Sequence, residues 1–152
     1  MTKTELIQIF AGFVGTIGFA ILFNIRGKRL VAVAFGGLFS WLFFVILSRF
    51  IPNEPVNYFV VACLISAYAE IMARVLKTPT TTFITTALIP LIPGGALYYT
   101  MAYAFHGDLE IFLQKAIYTL QLASALALGI IVSTTITRIF YKYLNKNKGQ
   151  VK

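Results

Sequence analysis

The stretch TALIPLIPGGALYYT, residues 86–100, decides the fold. Leu, Ile, Ala and Tyr make it apolar enough for a lipid interior, yet Pro90, Pro93, Gly94 and Gly95 stand in its middle. Proline removes a backbone donor and glycine weakens a helix, so this segment reads as one helix broken in two.

The rest of the chain says what surrounds the break. Of 152 residues, 59% are hydrophobic and only 12% charged, and the mean hydropathy is +0.82. A soluble domain is roughly half apolar and about one-quarter charged. The composition therefore predicts one all-α integral membrane domain over residues 1–152, with the lipid bilayer as its first partner. The first apolar run is too long for a cleaved signal core, and Glu5 precedes it where a signal carries positive charge.

Five apolar runs approach the roughly 20 residues that cross a bilayer. They cover about 6–25, 30–47, 56–73, 81–105 and 112–139, followed by a basic tail over 140–152. Spanning backbone must bond to itself, so each run is expected to be helical. Five passes put Arg26, Lys28, Arg29, Arg74, Lys77, Arg138, Lys142, Lys146, Lys148 and Lys152 on one side. Lys3, Arg49 and Lys115 fall on the other, with Glu5, Glu54, Asp108 and Glu110. The positive-inside rule then predicts an outside N-terminus, a cytoplasmic C-terminus and a multi-pass protein of the cell membrane. The net charge of +8 follows topology, which argues against nucleic acid as a partner.

The fourth run is centred on Pro93, which places its break near the bilayer midplane. Broken backbone at such depth is tolerated where it lines a cavity, and discontinuous helices mark substrate sites in transporters. Carbonyls near Ala87–Ile89 are expected to lose their donors. Amides of Gly94–Ala96 would offer a positive helix end to a carboxylate. Tyr98 and Tyr99 add hydroxyls. Pro90, Pro93, Gly94, Gly95, Tyr98 and Tyr99 are thus candidate substrate-binding residues, suited to a small zwitterion.

Elsewhere, Glu70 is the one acidic residue within or at the edge of a span. It is a candidate for proton coupling with Arg74, or simply the partner of Arg74 in an i,i+4 ion pair. Thr85, Thr86 and Gln121 are cavity-lining candidates; Gln114, Tyr118, Gln121 and Ser124 form a stripe that suits a cavity or interhelical hydrogen bonds equally. Gly12, Gly15 and Gly18 read as a packing face. Trp41, Tyr58, Tyr141 and Tyr143 read as packing or interface aromatics. The lone Cys63 and the lone His106 supply no metal framework, and no nucleophile or acid–base cluster points to an enzyme. No cofactor is expected.

The run AEIMARVLKTPTTTFITTALIPLIPGGALYY, residues 69–99, resembles the threonine/serine exporter family in its Ala73-Arg74, Thr78-Pro79 and Pro90-Leu-Ile-Pro93-Gly94 elements. Length and span number match that family's separate five-helix small subunit. The resemblance implies proton-driven export of small amino acids such as threonine and serine, and a larger second membrane subunit, self-association, or both. It also implies two alternatives: export of dicarboxylates such as succinate, or an accessory role without transport. Glu70, Arg74, Pro79, Pro90, Pro93, Gly94 and Gly95 are the positions it carries over.

Overall fold

The computed structural model describes residues 2–149, so Lys152 of the basic tail lies outside the described residues. Six α-helices and a 3-10 turn follow one another, with no strand among the described residues. They are α1 (Lys3–Leu22), α2 (Lys28–Leu47), α3 (Glu54–Val75), α4 (Thr80–Ala87), the 3-10 turn Ile89–Leu91, α5 (Gly94–His106) and α6 (Leu109–Gly149). Four helices are long and apolar enough to cross a membrane. The pair formed by α4 and the segment from Ile89 to His106 also qualifies, bent by 43° at the break.

The boundaries differ from the apolar runs because caps and turns set them. Thr2 and Glu5 form a reciprocal capping box, so α1 starts at Lys3 rather than Leu6. It stops at Leu22 because Asn24 and then Gly27 turn at positive φ, 57° and 62°. Asn53 caps α3 by accepting from the Val56 amide, with Pro55 in the first turn. α6 runs 41 residues, about 60 Å at 1.5 Å per residue.

α3 and α6 lie side by side and point the same way. Glu54 meets Tyr118 at one end. In the middle the Cys63 thiol donates to the Gly129 carbonyl and the Ser133 hydroxyl to the Cys63 carbonyl, 2.9 Å. At the other end the Arg74 guanidinium lies 4.0 Å from the Tyr141 ring centre. The chain between two parallel helices has to return to the starting end, and α4 with α5 is that return leg. Gly129 permits the contact: a Cβ there would lie 2.7 Å from both Ala62 Cβ and the Phe59 carbonyl oxygen.

Two apolar clusters hold the rest. Tyr58, Val61, Ile65, Leu88, Leu91 and Leu122 surround the break, while Ala20, Val33, Ala69, Ala73 and Phe83 pack nearer the Arg74 end. α1 seats on α2 where a Cβ at Gly37 would fall 2.0 Å from the Thr16 hydroxyl oxygen. Of the three α1 glycines, only Gly12 has neighbours at Cβ range, Pro90 and Trp41; Gly15 and Gly18 face nothing within 4 Å.

The packing of the break fixes where it lies along α3. Leu88 and Leu91 pack with Tyr58, Val61 and Ile65, between the first turn and the middle of α3. Thr100 hydrogen-bonds Thr119, one residue past the partner of Glu54, the first residue of α3. The last six residues of α5 therefore extend beyond α3 along the early turns of α6.

Candidate functional site at the helix break

α4 ends at Ala87 and the chain tightens into the 3-10 turn over Ile89–Leu91. That turn repairs part of the damage prolines cause. The Leu91 amide donates to the Leu88 carbonyl (2.9 Å) and the Ile92 amide to the Ile89 carbonyl (3.1 Å). Two of the three carbonyls expected to be free are thus occupied. This corrects the expectation that all three would lose their donors.

The other side of the gap keeps its donors. Pro93 is the residue before α5 and offers no side-chain cap. The Gly94 amide folds back on the Ile92 carbonyl at 2.7 Å, and the Leu97 amide takes the Pro93 carbonyl. Gly95 and Ala96, the two between, meet no capping side chain. Their N–H groups carry the positive end of the α5 dipole.

A cavity of about 390 Å³ opens beside them, within the roughly 300–1,000 Å³ range of small-molecule sites. Pro90, Pro93, Gly94, Gly95 and Tyr99 line it, joined by Trp41 from α2, Glu54 and Tyr58 from α3, and Lys115 and Tyr118 from α6. Tyr98 does not line it; that ring is 69% exposed and stands edge-on to Tyr99. The carboxylate of Glu54 accepts a hydrogen bond from the Tyr118 hydroxyl. Ion pairs among the described residues are Glu5–Arg49 and Glu70–Arg74. Glu54 and Lys115 therefore share a cavity without neutralising one another.

The other candidate residues stand elsewhere. Thr85 and Thr86 line a second cavity, about 380 Å³, with Thr81, Thr82, Phe23 and Ile25. Their hydroxyls already donate to the Thr81 and Thr82 carbonyls, which leaves them mainly as acceptors. Gln121 lines a third, a groove between α3 and α6 beside Asn53 and Phe59. Glu70, 2% exposed, lines none of the three; its carboxylate meets Arg74 at 2.7 Å, and Arg74 also donates to the Glu70 carbonyl.

The family model described as "Threonine/Serine exporter, ThrE" matches residues 8–136, most of the chain and the whole of this site. The chain belongs to the threonine/serine exporter family. The exporter-family protein is accordingly a multi-pass membrane transporter, whose family membership implies an amino-acid substrate. Neither the curated proteins nor the solved structures contain a match to it.

Sequence reasoning missed Glu54 and Lys115 as cavity residues and assigned Trp41 and Tyr58 to packing. Glu54 and Lys115 lie on helix segments 61 residues apart (115 − 54). Only the parallel contact of α3 with α6 brings them together. The one available signal was the Gln114–Ser124 stripe, which contains Tyr118.

Proposed function

We propose that this chain is the small membrane subunit of a secondary exporter for small amino acids such as threonine and serine. It crosses the cell membrane five times, with the N-terminus outside and the C-terminus in the cytoplasm. It pairs with a larger subunit of the same family and is driven by the proton gradient. One observation carries this reading: an amphoteric cavity opens where a membrane helix is broken, with helix amides, a carboxylate and an ammonium around it. The charge distribution supports the orientation, since Arg26, Lys28, Arg29, Arg74 and Lys77 flank the ends opposite Glu54 and Glu5.

Glu70 is the proposed proton carrier. It is buried against one partner, lies away from the cavity, and can release Arg74 when protonated. Labelled-threonine efflux is measured from cells lacking this chain, its suspected partner, or both. Loss in each single deletion supports a two-component exporter; undiminished efflux with the partner alone assigns this chain an accessory role. Glu70→Gln is expected to abolish gradient-driven efflux while the protein stays at normal abundance in the membrane. Full efflux by that variant removes Glu70 from the coupling.

A further inference from the structure

We infer that Glu54 is the residue that recognises the substrate's ammonium group, so that the cavity selects zwitterions over acids lacking an amine. The assignment rests on the exporter reading and deepens it. Glu54 and Lys115 line the same cavity, yet the hydrogen-bond partner of Glu54 is the neutral phenol of Tyr118. Tyr118 is a placeholder: its neutral hydrogen bond to the carboxylate is one that an incoming ammonium replaces with a charge-assisted one. Lys115 and the uncapped Gly95 and Ala96 amides provide the opposite pole for the carboxylate. Two of the three carbonyls that would otherwise have served the ammonium already accept bonds in the 3-10 turn. Among the described residues, Glu54 is the one acidic group lining the cavity. A dicarboxylate entering carboxylate-first would turn its second negative charge toward Glu54, and like charges at close range repel.

The test uses counterflow in right-side-out membrane vesicles from the native host, with Glu54→Gln introduced on the chromosome and protein abundance measured alongside. Labelled threonine competes with unlabelled threonine, with 3-hydroxybutyrate (the same skeleton without the amine) and with succinate. The wild type is expected to prefer threonine strongly. Glu54→Gln is expected to raise the threonine KM by about 10–100-fold, the loss of one charge-assisted hydrogen bond, and to narrow the preference over 3-hydroxybutyrate. Glu54→Asp, which keeps the charge, should restore part of it. Preference unchanged in Glu54→Gln overturns the assignment. If that variant does not accumulate, Tyr118→Phe decides: a lower threonine KM with selectivity kept, as the carboxylate is freed for the ammonium, supports Glu54, whereas an unchanged or higher KM overturns the assignment. Wild-type vesicles that exchange succinate but not threonine overturn the amino-acid reading itself, and vesicles that exchange neither overturn transport by this route.

Discussion

Gly129→Leu is expected to abolish accumulation of the folded protein. A Cβ at residue 129 already meets Ala62 Cβ and the Phe59 carbonyl oxygen at 2.7 Å, and the Cys63 amide at 3.3 Å. Two of these atoms are backbone of a packed helix, so no rotamer change relieves the clash. Overpacking a well-filled core costs about 1–3 kcal/mol for added methylenes, and a whole leucine against backbone exceeds that range. Pushing α6 away also removes the Cys63–Gly129 and Ser133–Cys63 hydrogen bonds and widens the cavity that Glu54 and Lys115 share. Gly15→Leu is the control, since nothing lies within 4 Å of that position. Membrane abundance and thermal unfolding in detergent report both. Equal stability of the two variants refutes the close α3–α6 contact.

Arg74→Met is the second large effect. Glu70 is buried, and the salt bridge with Arg74 at 2.7 Å is the ion pair it makes. Removing one partner of a buried pair costs about 3–5 kcal/mol because a charge is left without compensation. Here the loss is smaller, since the Arg74 side chain is 34% exposed and partly solvated. The Tyr141 ring loses its cation as well, loosening α3 from α6 at that end. Adding Glu70→Gln to Arg74→Met removes the stranded carboxylate. The double variant is therefore expected to melt above the single one in the same detergent. A double variant less stable than Arg74→Met shows that Glu70 contributes through contacts other than this charge.

The helices and their break were legible because both are written in local chemistry. Apolar runs of span length predict the helices, and Pro90, Pro93, Gly94 and Gly95 predict the interruption. The Glu70–Arg74 pair was legible from its spacing of four on one helix. The occupied carbonyls were not, because a 3-10 turn changes partners by one residue without any sequence marker beyond the prolines themselves. The cavity was half legible. Its α5 wall follows from the motif, but its charged wall depends on which helices touch. Glu54 and Lys115 read only as markers of sidedness until α3 and α6 were seen to run together. Likewise, apolar length alone does not encode how far α5 outruns α3.

The shared direction of α3 and α6 has a consequence for biogenesis. The bonds joining them span 64, 66 and 70 residues of chain, and closing so long a loop delays the pairing they make. During synthesis α3 emerges first and waits, its Ser133-binding backbone uncovered, while the interrupted α4–α5 leg enters lipid without its final shelter. Chains halted before residue 118 should consequently be held by insertion factors or degraded, and the moment of greatest vulnerability falls just before α6 leaves the ribosome.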